Sequence, residues 1–570
     1  MAPSESNLSS PKYGYDFIVA LTQASINATM LEFMSSRQEP VANVCYIANA
    51  DGQPEQIDYE ELKSRAGGTD PFSVPDAVSS TNPALTNLIQ ARFMGGFQAQ
   101  IGIPPMDNPK TLPDIVTLGS DTTEIVYNMY CSEFTIVSLN PGGPYSAAPS
   151  FMKRSQPKNN PWVFRSKVNL NLSQVGQGGF STLPPVVQAQ IKNMSDTAFS
   201  IQQLLFDLNT AALSDFPTLE GVAPGTPLWM MMQQYFTGAY FNQLKKDGQP
   251  MLGCAIVHQG AAASTMTITD LNMEVCPYVD GTGKPSAAAN LTEQSLATLN
   301  YLCAADGAQL PPSVPFSWNW VDPSDMTDHD GILSINRTTF TNYFRQMLAP
   351  YVPKACIKVY ASVTADGLGS DMSWNFTPGE NPTVTTPGGQ TVLQYDYNSS
   401  DSDQAGVNGA LGHLSLNSTY SMTVDFVNNT NTIVIKQHLV IYCDMKKNFT
   451  SEDGNIFDKT IVDTYTIAVT DDGGLQTTLH SDVADNSVSI TTDAFQNFFT
   501  HMNEVGADVK TAANDVGSSG LTDIPVSTLQ KYVFPGGKSF IFKDARFSNN
   551  QDLFASISYA DTTGPMTVPP

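Results

Sequence analysis

The chain predicts an α+β, β-rich fold in which long antiparallel sheets are interleaved with a few large amphipathic helices. Apolar and polar residues alternate over many short runs, the period of a strand with one wet face. Ser, Thr, Asn and Gly are abundant while only 14% of residues are charged, which suits sheets whose outer faces are polar without being ionic. Five segments instead carry large apolar side chains at helical spacing. With 570 residues, 41% of them hydrophobic, the chain can bury a substantial core as two or three domains or as one large body.

The elements follow in order. TQASINATMLEFMSS, from Thr22, puts Ile26, Met30 and Phe33 on one face of a helix that Thr22 caps. Short β-branched and aromatic runs bounded by Pro and Gly predict strands from Ala91 to Pro104 and from Ile115 to Leu139. Strict alternation of Val168, Leu170 and Leu172 predicts another. A helix is expected from Asp196 to Leu213, with Ile201, Leu204, Leu205, Leu208 and Ala212 as its stripe. A better marked one begins at Pro227, with Thr226 as cap and Lys245 and Lys246 in its last turn. Strands are expected over Met266 to Val275 and Leu296 to Cys303, then a helix from Thr338 to Leu348 that Pro350 ends.

Gly367 to Gly412 is rich in Gly, Pro, Ser, Asn and Asp and reads as a long loop or lobe boundary between an N-terminal lobe of residues 1–366 and a C-terminal part of residues 413–570, a meander plus helix expected to pack with the first lobe as one body. That last part predicts a meander around the turn Asn428 to Asn431 and further strand pairs around Asp471 to Gly474. A helix from Asp493 carries Phe495, Phe498, Phe499, Met502 and Val505, and two strands near Ser539 to Lys543 and Leu553 to Tyr559 close the chain.

Charge and spacing exclude several functions. Lys plus Arg number 28 against 54 Asp plus Glu, a formal net charge of −26, so nucleic acid is not an expected partner. The seven cysteines and six histidines are dispersed without a C-x-x-C or close His/Cys spacing, which reads as buried reduced thiols rather than a metal site. No cofactor is implied. Met1 to Lys12 lacks the basic and apolar regions of a secretory signal, and no stretch has the length of a membrane span. The expected location is cytoplasmic, or outside the cell by a route without a signal peptide. The sequons at Asn27, Asn336, Asn417 and Asn448 are then idle.

Catalytic signatures are missing: there is no G-x-S-x-G, H-E-x-x-H, Walker loop or dinucleotide fingerprint. The GQGG at Gly176 lacks the lysine and following helix of a phosphate cradle and reads as a turn. DPSDMTDHDG, with Asp328, His329 and Asp330, has Met326 and Arg337 where a calcium loop needs carboxylates, and reads as a solvated acidic loop. What remains is apolar. The candidate ligand-lining residues are Ile26, Met30 and Phe33; Trp229, Met232, Tyr235 and Phe236; and Phe495, Phe499 and Met502. Core packing explains such side chains, yet Met and aromatic groups also suit a pliable apolar cavity.

The opening YGYDFIVALTQASINATM, the segment DGILSINRTTFTNYF from Asp330 and the closing FPGGKSFIFKDARFSNNQDL from Phe534 resemble the tubular lipid-binding (TULIP) superfamily. The likeness is to the forty-seven-kilodalton accessory and OrfX proteins of clostridial neurotoxin clusters. The resemblance implies an elongated TULIP-like fold with residues 1–366 as a TULIP-like lobe, long curved antiparallel sheets wrapping amphipathic helices, and a groove that in many members holds acyl chains. It brings no catalytic residues. The leading expectation is non-enzymatic binding of a lipid or other hydrophobic small molecule, in an accessory role for a toxin or secreted-factor system. Two alternatives stand beside it: a packed TULIP-like body that docks a protein partner, and an enzyme acting on a hydrophobic substrate through acids such as Asp328 or Asp330.

Overall fold

Strands account for 49% of the described residues and helices for 19%, so the body is built from sheets, as the alternating runs predict, in an α+β, β-rich fold. The computed structural model describes residues 3–559 apart from 36–38, 108–111, 120–123, 144–147, 176–180, 182, 184, 193–198, 216–223, 247–250, 259–265, 287–288, 326–327, 410, 448–449, 472 and 489–532. All strand pairs among the described residues are antiparallel.

A six-stranded sheet, here the terminal sheet, has the order Ile268–Cys276, Thr298–Ala305, Phe17–Thr22, Gly331–Ile335, Leu553–Tyr559, Phe540–Phe547. The run FIVALT is buried along its whole length, because a strand inside a sheet with both faces covered has no wet side. A second six-stranded sheet runs Val533–Pro535, Met251–His258, Phe199–Asp215, Phe164–Gln174, Glu124–Met129, Val116–Leu118. A five-stranded sheet has the order Pro54–Ile57, Ala42–Ala48, Phe93–Ile101, Cys131–Asn140, Ser150–Ser155. The meander comprises Thr383–Thr385, Thr391–Ala405, Gly412–Phe426, Thr432–Lys447, Thr450–Val469 and Leu475–Asp485 in chain order. Burial in Gly412–Phe426 alternates residue by residue.

Two expectations are corrected. Of the helix expected from Asp196 to Leu213, the described part, from Phe199 on, is instead the strand Phe199–Asp215, held between Phe164–Gln174 and Met251–His258. Pairing on both sides overrides the helical spacing of its leucines. The span Gly367 to Gly412 is not a loop: it contains the strands Gly369–Pro378 and Thr391–Ala405. Its Ser and Asp residues follow the period of two and serve as partners for a neighbouring strand. The amides of Val359, Ala361 and Val363 donate to Ser399 Oγ, Asp401 Oδ2 and Asp403 Oδ2 at 3.1, 2.8 and 2.8 Å. The hairpin of Ile357–Asp366 and Gly369–Pro378 is thus fastened to the meander by side chains.

The helices with clear caps form where expected. Gln23–Ser35 begins at Thr22, whose Oγ1 accepts from the Ser25 amide at 3.2 Å. Its Asn27 side chain pairs with the Val116 backbone through two bonds of 2.8 Å, so this sequon asparagine acts as a strand partner. Arg337–Leu348 is capped by the buried Asn336. From Pro227 to Lys246 the chain is helical throughout, but Tyr235–Tyr240 is π-helical. The buried pairs Tyr235/Phe236 and Tyr240/Phe241 are five residues apart, the repeat that i→i+5 geometry brings onto one face. One apolar cluster includes residues from Phe17 through Ile557 and draws on the four large sheets and on the hairpin of Ile357–Asp366 and Gly369–Pro378.

Candidate functional site

The helix that starts at Pro227 lies over the five-stranded sheet, and their junction leaves a groove of about 590 Å³. Its walls come from the Ala48 to Gly52 turn, from Arg92 to Gly95, from Ser138 to Pro141, and from Thr226, Leu228 and Met231 of the first helical turns. Local sequence explains each wall. Thr226 Oγ1 accepts from the Trp229 amide at 3.3 Å, Gly225 takes φ +85°, and Pro227 follows, so the helix start is fixed in place. In FMGG the register slips between Tyr46↔Gly95 and Ile47↔Phe93, leaving Met94 as the unpaired residue of a bulge on the groove wall. Gly95 lets the helix approach: a Cβ there would sit 3.8 Å from Leu228 Cδ1 and 3.0 Å from the Val137 carbonyl oxygen.

The lining is chiefly apolar, with Ile89, Phe93, Met94, Leu139, Leu228 and Met231 as its larger members. Among the described lining residues Arg92 is the single charged group. Its backbone is left-handed at φ +59°, its side chain is exposed, and the guanidinium donates to the Asn49 carbonyl. No described carboxylate forms an ion pair with it. The groove therefore offers an apolar trough with one cation at the rim, within the size range of small-molecule sites.

Seven of the ten residues singled out in the sequence are described, and none of these seven lines the groove. Met232, Tyr235 and Phe236 are buried one layer deeper, where Phe236 stacks on Phe164 with ring centroids 3.8 Å apart and Tyr235 meets Phe97 edge-on at 4.9 Å. Trp229 is half-buried against the same core. Ile26 and Met30 are buried and Phe33 is half-buried. Tyr127 links the two helices, its hydroxyl 4.0 Å from Met34 Sδ and its ring 6.4 Å from Phe241. Phe495, Phe499 and Met502 lie outside the described residues, as do the Asp493 helix and the GQGG segment.

The groove residues Met94, Leu139 and Met231 carry no sequence signal of their own, since the trough arises from a bulge and a helix contact distant in sequence. The GG pair in FMGG was the available clue: glycines inside a strand mark a bulge or a close approach. Among the described residues no three His, Cys, Asp or Glu side chains are grouped to hold a metal. All seven cysteines are buried as free thiols, and burial pushes the Cys45 and Cys254 thiols up to about 12. Asp330 of the acidic loop accepts from the Tyr559 amide and the Ser558 hydroxyl, both at 2.9 Å, so it fastens the strand Leu553–Tyr559. No helix among the described residues is long and apolar enough to cross a membrane.

No family model matches the chain. No curated protein matches it either. Among solved structures, P47 of Clostridium botulinum E1 is similar at 8% identity and a TM-score of 0.43, over 96% of this chain and all of that one. A lipopolysaccharide binding protein is similar at 8% identity and a TM-score of 0.27, over 96% of this chain and 99% of that one. Both are distant likenesses in the course of the chain.

Proposed function

We propose that the chain is a non-enzymatic, TULIP-like binder of a lipid or other hydrophobic ligand, in the accessory setting that its resemblance implies. The observation that carries this reading is the groove of about 590 Å³, with its apolar lining and the cation of Arg92 at the rim. Each methylene moved from water into such a trough gains about 0.8 kcal/mol, so a short stretch of acyl chain suffices for binding. Met231 stands between the groove and the packed layer of Met232, Tyr235 and Phe236. Rotation of this flexible thioether side chain would deepen the site toward the residues singled out in the sequence.

The test is native mass spectrometry of the purified protein with solvent extraction of bound molecules, followed by titration with a fluorescent polyene fatty acid. A released apolar compound, and binding weakened about tenfold in Leu139→Trp, are the expected results; that factor corresponds to roughly 1.4 kcal/mol of lost contact. A clean unliganded mass, together with no binding across a panel of fatty acids and phospholipids, would sink the proposal.

A further inference from the structure

Two aliphatic side chains stand almost free of the protein at neighbouring turns. Leu368 is 94% exposed and Val407 is 84% exposed. In both turns the residue just before the aliphatic one is a left-handed glycine, Gly367 at φ +59° and Gly406 at φ +82°. Hairpin apices normally take Gly, Asn, Asp or Ser, which satisfy the turn and face water at no cost. A Gly-aliphatic pair at each of two apices therefore needs a reason.

The two turns belong to one end of the molecule. Leu368 tops the hairpin closed by Asp366↔Gly369, and Val407 lies in the turn closed by Ala405↔Gly412. Ser370 Oγ donates to the Leu411 carbonyl at 2.8 Å, and the Val363 amide reaches Asp403, so the hairpins are fastened side by side. The pairing Gly412↔Lys447 brings Lys446 and Lys447 to the same end, with Lys446 exposed.

We infer that this end is a docking tip for a lipid bilayer, with Leu368 and Val407 inserting among the headgroups. Shape favours a bilayer over a protein. Two isolated apices are convex and bury far less than the roughly 800 Å² per partner of a specific protein interface, whereas small apolar prongs fit the boundary between headgroups and acyl chains. Charge selects the lipid. Lys446 and Lys447 are offset at this end by Asp366, Asp444 and Glu452, and a chain of net charge −26 is repelled by an anionic surface, so the bilayer is zwitterionic. The tip is built from the meander and its attached hairpin and shares no residue with the groove.

The test is flotation of the full chain with phosphatidylcholine vesicles. The native protein should float with them, Leu368→Asp/Val407→Asp should do so at least tenfold less, and Leu291→Asp, at an 82% exposed leucine beside the terminal sheet, should behave as native. Replacing part of the phosphatidylcholine with phosphatidylserine should weaken binding. Circular dichroism checks that the variants fold, and unchanged binding of the fluorescent fatty acid by the double variant separates the tip from the groove. The inference is overturned if the native chain stays unbound, if the double variant floats equally well, or if phosphatidylserine strengthens binding. Capture of a protein partner that the double variant loses, without flotation, would reassign the tip to protein docking.

Discussion

Glu274 is fully buried on the terminal sheet, directly across from the equally buried Asn300. Neither of its carboxylate oxygens has a hydrogen-bond partner of normal geometry, although the Ser313 hydroxyl is close enough to favour the charged form. Burial dominates and pushes its pKa from 4.5 up to about 7, against smaller opposing effects of Ser313 and Lys12. Asp552 is raised to about 6 by the same cause, even though the Leu8 and Arg337 amides and the Ser6 hydroxyl all donate to it. A raised carboxyl pKa means that the folded state holds its proton more tightly than the unfolded state. That stability is therefore complete below the unfolded values and is lost as pH rises through about 6 to 7. Glu274→Gln removes one ionisation without changing shape. Its melting temperature should exceed that of the native protein at pH 8, by an amount worth on the order of 2 kcal/mol, and the two curves should meet near pH 4.5. Equal pH profiles would show that the carboxyl is hydrated in solution. Alternation along this strand would place Glu274 toward water. Cys276, two residues on along the same strand, packs with Phe316, Trp318 and Trp320, and Ser313 lies beside Glu274, so a segment some forty residues later covers this face and makes Glu274 a buried acid.

The side-chain ladder from Ser399, Asp401 and Asp403 gives the hairpin at Ile357 its hold on the meander. Asp401→Ala should cost about 1 kcal/mol, and the Asp401→Ala/Asp403→Ala double variant should speed amide hydrogen exchange at Ala361 and Val363. Exchange inside Gly412–Phe426 should stay slow, because its backbone pairs on both sides. Equal acceleration in both places would show that the hairpin and the meander open as one unit. Elements with local chemistry were legible in advance. Thr22, Thr226 and the Thr338 to Leu348 stripe announced their helices, and strict alternation announced the meander. NSSDSDQAG misled because its composition is that of a loop while its period is that of a strand, and its partners lie about forty residues upstream. The helix at Pro227 was legible, but its π-helical centre and the groove at its start depend on Phe97, Phe164 and Met94, which no local pattern ties to it.

The terminal and second sheets meet where Tyr301 crosses Gly253. The Tyr301 hydroxyl donates to the Leu252 carbonyl at 2.9 Å, and its ring occupies the space that a side chain at Gly253 would need. Gly253→Ala should therefore destabilise the whole protein by about 2–3 kcal/mol, and Tyr301→Phe by about 1 kcal/mol, both read from denaturant midpoints. A local effect confined to one sheet would contradict the role of this contact as the joint. The strand order of the terminal sheet has a consequence for how the chain is made. Phe17–Thr22 leaves the ribosome long before Thr298–Ala305 and Gly331–Ile335, the strands that flank it in the finished sheet. At 5–20 residues per second, FIVALT waits roughly twenty seconds to a minute with both edges bare. During that interval it is a short, uncharged, apolar segment open to pairing with other nascent chains. Slow synthesis at high ribosome density should favour aggregates that a chaperone acting on emerging chains suppresses, and a fragment of residues 1–366 should retain an open edge at Gly331–Ile335 where Leu553–Tyr559 belongs.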